Sequence, residues 1–307
     1  MSRLKELEAE AIHYLKAFEP KDERGYYLCY SGGKDSDTIK ILAQLAGVKF
    51  EAHHNLTTVD APETVYYVRS QGDVIVDLPE KTMWQLIPEH LMPPTRIVRY
   101  CCAKLKERGG VGQLKITGVR KYESVKRAKN SGLVQIMGKP KDTVKLAAEM
   151  SMDVALNEKG SVVLNMDNDP ERRLVEQCYR TRNTVVNPII EWTDEDVWDF
   201  LHYYGCASNP LYQCGRDRVG CVLCPMSKYS TKLLDEEQYP KYKAAYIRAF
   251  DEMIERRKQR GLVYTTQDWS SGEQVFDWWL GRLHGQMTLD EFFPDGLTDE
   301  PDVDYLE

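Results

Sequence analysis

Two stretches of this chain place chemically active side chains at short spacing. One is Ser31-Gly32-Gly33-Lys34-Asp35-Ser36. The other is a set of grouped cysteines, Cys101-Cys102 and Cys221-Val222-Leu223-Cys224. In the first, two glycines allow a tight turn that points backbone N–H groups into one concavity, and Ser31, Lys34 and Ser36 add donors suited to phosphate oxygens. Neither GxxxxGK[ST] nor GxGxxG occurs in the chain, so a phosphate cradle here is of another type, and an ordinary strand–turn–helix connection fits the same spacing. In the second, Gly220 before the CxxC and Pro225 after it favour a turn that aims two sulfurs at one point. A lone CxxC suits a redox pair or half a zinc site. With the tandem pair it makes four thiolates, which suit tetrahedral zinc or an iron–sulfur cube alike.

These residues need elements to position them. Tyr26 to Tyr30 is a short apolar run bounded by glycines, the pattern of a buried central strand. The stretch Asp37 to Ala46 after the loop reads as a helix stopped by Gly47. Strands are expected at Val48–His54, Val74–Asp77, Lys115–Thr117, Val162–Asn165 and Thr184–Val186, with helical stretches at 61–70 and 81–90. This alternation predicts an α/β fold: a Rossmann-like, doubly wound, mostly parallel sheet with helices on both faces. Beyond Asp194 no strand is expected. Thr193 caps a helix whose Val197, Trp198 and Leu201 share one side, and a Cys-bearing loop over 205–225 precedes an amphipathic helix over 235–260. Three regions follow: 1–200 as the nucleotide-binding α/β domain, 201–290 as the Cys-containing loop and helical region packed on it, and 291–307 as an acidic tail.

Composition narrows the function classes. The 307 residues are 42% hydrophobic and 29% charged, ordinary for a globular protein and unlike a disordered or fibrous one. Forty-one Lys and Arg against 48 Asp and Glu give a net charge of −7, so a nucleic-acid partner would need a local basic patch. Arg120-Lys121, Lys126-Arg127, Lys129 and Lys139-Lys141 supply one, although solvated lysines account for such a run equally well. No apolar run is long enough to span a bilayer, and the N-terminal pattern lacks an apolar signal core, which points to a cytoplasmic protein. Eight cysteines, six of them in two groups, fit a reducing compartment and metal binding or chemistry better than disulfides.

The loop with the strand before it resembles the PP-loop, SGGxDS, of the adenine-nucleotide α-hydrolase superfamily, whose members include ATP pyrophosphatases, tRNA thiolases and the sulfonucleotide (PAPS and APS) reductases. Three further blocks stand in the order seen in those reductases. Thr57-Thr58-Val59-Asp60-Ala61-Pro62-Glu63 resembles the acidic turn after the second strand. Thr117-Gly118-Val119-Arg120-Lys121-Tyr122-Glu123-Ser124 resembles TGxRxxES, and the segment from Asn187 to Trp198 resembles NPL-x-W-x-x-x-DVW. The resemblance covers about residues 28–226. It implies that Ser31, Gly32, Gly33, Lys34, Asp35 and Ser36 grip the phosphates of ATP, PAPS or APS, with Arg120 meeting the anionic end and Arg127 nearby. Lys34, Arg120 and Asp60 are the expected catalytic groups. Asp60 and Glu63 are expected to hold Mg²⁺ through water or to meet a ribose hydroxyl, although acids also cap a helix start. Arg99 has a weaker case.

The cysteine pairs resemble those by which assimilatory APS reductases hold a [4Fe–4S] cluster. The implied ligands are Cys101, Cys102, Cys221 and Cys224 beside the nucleotide, with zinc the less favoured occupant. Cys178 is a fifth candidate: a ligand, a free catalytic thiol or a buried helix residue. Cys206 and Cys214 rank below these, and Cys29 reads as core. The resemblance fails at one place. Sulfonucleotide reductases attack sulfur with a cysteine near the C-terminus, and nothing after Cys224 is a cysteine. This favours a relative that keeps the nucleotide site and the cluster and performs ATP-dependent sulfur transfer, releasing AMP and pyrophosphate. Sulfonucleotide reduction and a nucleotide-sensing iron–sulfur module remain as alternatives. The implied partners are an adenine nucleotide, a nucleic-acid or small-molecule sulfur acceptor, and a sulfur-donor or reductant protein, with oligomerisation open. His53-His54 carry little weight, and Trp278-Trp279, Tyr242, Tyr246 and Phe250 read as packing residues.

Overall fold

A computed structural model describes residues 3–138, 140–262 and 269–282, so the expected acidic tail at 291–307 lies outside the described residues. Contacts divide the chain into two compact units. The first comprises residues up to Leu56, Asp60–Leu78 and Arg108–Gly220; the second comprises Thr57–Val59, Pro79–Glu107 and the chain from Cys221 on. These units interleave along the sequence instead of meeting at a single boundary near residue 200.

The first unit is built on one eight-stranded sheet with helices on both sides. In chain order its strands are β1 (Tyr26–Cys29), β2 (Phe50–Asn55), β3 (Val74–Asp77), β4 (Lys115–Ile116), β5 (Val134–Ile136), β6 (Ala155–Leu156), β7 (Val162–Leu164) and β8 (Thr184–Val186). They lie side by side as β3-β2-β1-β4-β8-β5-β7-β6. The strands β3, β2, β1, β4 and β8 pair in parallel, as alternation with helices requires, because a parallel partner needs a crossover. The last three add antiparallel pairing, β8 to β5, β5 to β7 and β7 to β6, that the sequence pattern did not announce. β5 and β6 are three and two residues long, too short for a periodic signal.

Three helices of this unit pack on one another: α1 (Arg3–Ala17), α2 (Lys34–Ala46) and, at the other end of the sequence blocks, α8 (Asp194–Tyr203). Their apolar sides, Ala11 and Leu15, Ile39, Leu42 and Ala43, and Val197, Phe200 and Leu201, join Tyr26, Leu28, Ile116 and Val186 in a buried core. The Tyr26 hydroxyl in that core donates to the Leu15 carbonyl at 2.8 Å. Gly47 ends α2 in the left-handed region (φ 68°), and Thr193 caps α8 by accepting from the Asp196 N–H, as the sequence predicts. The remaining helices are α3 (Pro62–Ser70), α5 (Val125–Asn130), α6 (Pro140–Glu149) and α7 (Asp169–Cys178).

The second unit is helical: α4 (Met83–His90), a π-helical turn at Cys102–Lys106, α9 (Tyr229–Gln238), α10 (Pro240–Gln259) and α11 (Gly272–Leu280). The single helix expected over 235–260 is two. Pro240 has no N–H to continue the ladder and keeps Tyr239 out of helical geometry (φ −124°, ψ 60°), so α10 begins anew there. Tyr246, Phe250, Phe276 and Trp279 fill its core, with the Trp84 ring edge-on to Tyr246 at 5.0 Å.

Candidate functional site

In the sheet, β1 lies between β2 and β4. The chain moves outward from β1 through β2 and β3, then returns to the other side of β1 for β4. This reversal opens a crevice at the carboxyl ends of β1 and β4, the position where open α/β sheets take ligands. Residues 31–36 follow β1 and residues 117–120 follow β4, so both loops sit there. They touch closely: a Cβ on Gly118 would fall 2.8 Å from the Asp35 Cβ. Gly32 adopts φ +74°, and a Cβ there would meet Val68 of α3 at 2.9 Å. Both positions therefore demand glycine.

The loop closes on itself. Gly33 precedes α2, its N–H donating to Ser36 Oγ at 3.1 Å while that hydroxyl donates back to the Gly33 carbonyl at 2.7 Å. The Ser31 hydroxyl, which is exposed, donates to Ser36 Oγ at 3.3 Å. The Lys34 N–H donates to the Tyr212 hydroxyl at 2.9 Å. Lys34 is buried, its Nζ 3.3 Å from Asp194 and 3.9 Å from Asp35. Arg120, expected to meet an anionic ligand, is 2% exposed and spends its guanidinium inside the protein. Nε donates to Asp35 at 2.7 Å, Nη2 to Asp194 at 2.8 Å and Nη1 to the Trp192 carbonyl at 3.3 Å. Burial opposes the Arg120 charge, and Asp35 and Asp194 more than restore it. Likewise burial works against the Asp194 carboxylate, while Arg120 and Lys34 hold it below the usual range. Two cations and two carboxylates thus form one network behind the loop.

Asp60 is buried just ahead of α3, its Oδ2 4.0 Å from Nε2 of the buried His54, whose Nδ1 lies 3.0 Å from the Tyr30 carbonyl. Glu63 is half-buried in the first turn of α3. Arg127 stands on α5, where it pairs with Glu123 one turn away. Asp37, the residue after the motif, accepts from the hydroxyls of Tyr30 (2.5 Å) and Tyr67 (3.0 Å), and desolvation pushes its carboxyl up to about 6.

The cysteines divide between the units. Cys101, Cys102, Cys221 and Cys224 all belong to the second. There the CxxC turn is pinned from three sides. The Val222 N–H donates to the Val59 carbonyl at 2.7 Å, the Leu223 N–H to the buried Asp235 carboxylate at 2.7 Å, and the Tyr246 hydroxyl to the Val222 carbonyl at 3.3 Å. Leu223 takes φ 58°, the strained position of the turn. The Cys221 thiol lies 3.6 Å from the Thr57 hydroxyl, and Arg99 reaches Cys102 Sγ at 3.4 Å. Cys102 is the low-pKa member of the tandem pair, drawn down by its hydrogen bond with Cys101 and by Arg99. The Cys101 thiol is pushed up by Cys102, by burial and by the charges of Cys221 and Cys224. The four thiols therefore share one electrostatic neighbourhood. Among the described residues, no group of three or more His, Cys, Asp or Glu stands close enough in this side-chain arrangement to hold an ion. Cys178 belongs to the first unit, fully buried in the core at the end of α7 with Arg182 beside it. Cys29, closing β1, is half-buried, and desolvation pushes its thiol up to about 11.

Residues 25–227 match the phosphoadenosine phosphosulfate reductase domain family. The chain belongs to that family. An uncharacterized protein of Methanocaldococcus jannaschii is 24% identical over 76% of this chain and 43% of its own. An adenosine 5'-phosphosulfate reductase of Anoxybacillus flavithermus is 33% identical over 70 residues, 22% of this chain and 30% of that one. Among solved structures, the phosphate complex of phosphoadenylyl-sulfate (PAPS) reductase from Candida auris covers 72% of this chain and 96% of its own at 13% identity and a TM-score of 0.41. The chain spans about half the length of the first curated relatives it matches.

For this phosphoadenosine phosphosulfate reductase domain, sequence reasoning missed Tyr212 and Asn209 around the loop, gave His54 little weight, and quoted Asp194 within a block without a role. Asn209 is fully buried, and its amide donates to the Gly32 carbonyl at 2.9 Å and to Thr64 Oγ1 at 3.2 Å. An Asn-Pro pair ahead of a turn was the available signal. Nothing in the local pattern says that the turn folds back onto residues some 180 positions earlier. Among the described residues no helix is long and apolar enough to cross a membrane.

Proposed function

We propose that this domain binds the diphosphate end of an adenine nucleotide at residues 31–36 and cleaves ATP at the α-phosphate in the service of sulfur transfer. The observation that carries this is the meeting of the Ser31–Ser36 loop, through Lys34 and Asp35, with Asp194 and Arg120 at the reversal point of the sheet. There the first backbone donors of α2 and the Lys34 ammonium oppose a polyphosphate, and Arg120 positions Asp35 and Asp194 without needing to touch the ligand. In the transfer itself, a substrate oxygen attacks the α-phosphorus and pyrophosphate leaves. Hydrosulfide then attacks the carbon bearing the adenylylated oxygen: a C–S bond replaces the C–O bond, and AMP leaves with that oxygen. Asp60, beside His54 of β2, is suited to orient the attacking group or a Mg²⁺-bound water.

The donor set fits an iron–sulfur centre. Cys101, Cys102, Cys221 and Cys224 would hold a [4Fe–4S] cluster, Arg99 and Lys106 offset the thiolate charge at Cys102, and the pinned CxxC turn fixes two of the ligands. When bound, such a cluster supplies electrons or sulfide to the reaction. A second reading, reduction of a sulfonucleotide, draws support from the reductases named among the relatives.

One assay tests both. The purified chain is offered ATP, APS or PAPS with a thiol reductant, and AMP, pyrophosphate and sulfite are measured. AMP and pyrophosphate from ATP, lost on Lys34→Ala, support the proposal. Sulfite release from APS or PAPS establishes the second reading in its place. Anaerobic purification with iron, sulfide and zinc analysis checks the centre. About four irons and four sulfides per chain are expected, and a stoichiometric zinc content with no iron would defeat the cluster.

A further inference from the structure

The loop's best anion donor is already occupied. The Lys34 N–H, the first of the donors that α2 leaves unpaired, donates to the Tyr212 hydroxyl at 2.9 Å. A Cβ on Gly33 would come within 3.2 Å of that hydroxyl, so the phenol lies directly over the turn. Its ring stands edge-on to Trp198 (4.9 Å between centroids, 87°), and the Lys34 ammonium lies 5.8 Å from the Tyr212 ring. The Lys34 side chain is engaged as well, by Asp194 at 3.3 Å. A phenol oxygen and a carboxylate thus occupy the two kinds of position that two phosphate oxygens would take.

Resting on the reading of residues 31–36 as the nucleotide site, we propose that Tyr212 is an internal stand-in for a phosphate oxygen, and that nucleotide binding displaces it and swings the Pro210–Cys214 turn off the loop. The reason for exchange is that one N–H makes one good hydrogen bond, and a charged phosphate oxygen is about twice as strong an acceptor as a neutral phenol. The turn is built to move at one end only. Asn209, fully buried, ties its start to the Gly32 carbonyl and Thr64 while its own Oδ1 accepts from the Leu211 N–H at 3.1 Å. Past Tyr212 the chain is exposed from Gln213 to Gly215, and Gly215 takes φ 75°, closing the turn with a residue that tolerates that conformation. The displacement releases the backbone donor alone; the Lys34 ammonium stays engaged by Asp194, itself held by Arg120.

Calorimetric titration of the full chain with inorganic pyrophosphate and with ATP gives a signed test. Tyr212→Phe removes the competing hydroxyl and keeps the ring, so pyrophosphate should bind about fivefold tighter than to the wild type, the worth of one neutral hydrogen bond. Equal or weaker binding overturns the inference, weaker binding meaning that the hydroxyl stays and serves the ligand directly. If neither protein binds pyrophosphate or ATP, the nucleotide reading falls and this inference with it. If the wild type binds and Tyr212→Phe matches it, only the gate falls. Should Tyr212→Phe fail to fold, hydrogen exchange on the wild type decides. Saturating pyrophosphate should raise exchange across 210–216 while lowering it at 33–37. Unchanged or reduced exchange across 210–216 overturns the proposal.

Discussion

The two chemically active regions are organised in opposite ways. At the loop the polar groups are spent on one another: Ser36 on Gly33, Arg120 on Asp35 and Asp194, the Lys34 N–H on Tyr212. At the cysteines the backbone is held firmly and the thiols make only weak contacts, Cys221 to Thr57 and Cys102 to Arg99. Val59, Asp235 and Tyr246 fix the CxxC turn, while four thiols sit within reach of one another's charge without closing into a ligand group. The difference follows from chemistry. Charges and amides buried without partners cost several kcal/mol, so Lys34, Arg120 and the two aspartates satisfy one another. Thiols desolvate more cheaply, and here Cys101 keeps its proton beside a Cys102 whose charge Arg99 favours.

The sharpest way to break this comparison is at Arg120. Arg120→Ala leaves the half-buried Asp35 and the exposed Asp194 without the cation they share. The chain should lose about 3 kcal/mol, toward the low end for a broken buried pair because Asp194 is largely exposed. Urea unfolding measures it. A loss below about 1 kcal/mol, the range of surface pairs, would mean the network is not what holds the two loops together. Arg120→Lys should recover little, since an ammonium cannot bond Asp35, Asp194 and the Trp192 carbonyl at once.

Next in size is Asp37. Its ordinary value is 3.8 and desolvation lifts it to about 6 in the folded chain, so folding raises its proton affinity. For an acid shifted upward, the charged form is the disfavoured one. The cost is fully present above pH 6 and is relieved as pH falls toward 4, a span worth about 3 kcal/mol. Stability of the wild type relative to Asp37→Asn, measured by urea titration between pH 7 and pH 4.5, should rise as the pH falls. A flat or falling difference would show that Tyr30 and Tyr67 stabilise the carboxylate as well as water does.

On the cysteine side, Asp235→Ala strips the acceptor from the Leu223 N–H in a buried turn. A cost of about 2 kcal/mol follows, and where the proposed centre is bound, iron or zinc should be lost with it. Full retention of metal would mean that the turn is held by its ligands and not by its backbone.

How much of this was readable in advance follows the same division. The sequence order of strand, glycine turn and helix declared the loop, and Gly47 and Thr193 declared the ends of α2 and α8, because these signals are local. The four cysteines shared by one unit could be guessed from their residue types. That 79–107 leaves the sheet to join the chain beyond Cys221 could not, since no local pattern encodes which distant segments share a core. Arg120 shows the limit most clearly. Its motif position suggested a ligand contact, but whether an arginine faces a ligand or two aspartates depends on Asp35 and Asp194, which reach it from other segments.

Arg127 offers the smallest effect and the finest discrimination. It was grouped with Arg120 as a phosphate contact, yet it stands on α5 paired one turn away with Glu123, both partly open to solvent. An exposed i,i+4 pair is worth about 0.3–0.5 kcal/mol, so Arg127→Ala should shift stability by no more than that. If the pair is its whole role, the affinity for pyrophosphate should stay within twofold of the wild type, while Lys34→Ala abolishes binding. A tenfold loss on Arg127→Ala, with folding intact, would place its guanidinium on the ligand and return it to the loop's set of donors. Such a result would mean that Glu123 is to Arg127 what Tyr212 is to the Lys34 N–H: an occupant that gives way when the anion arrives.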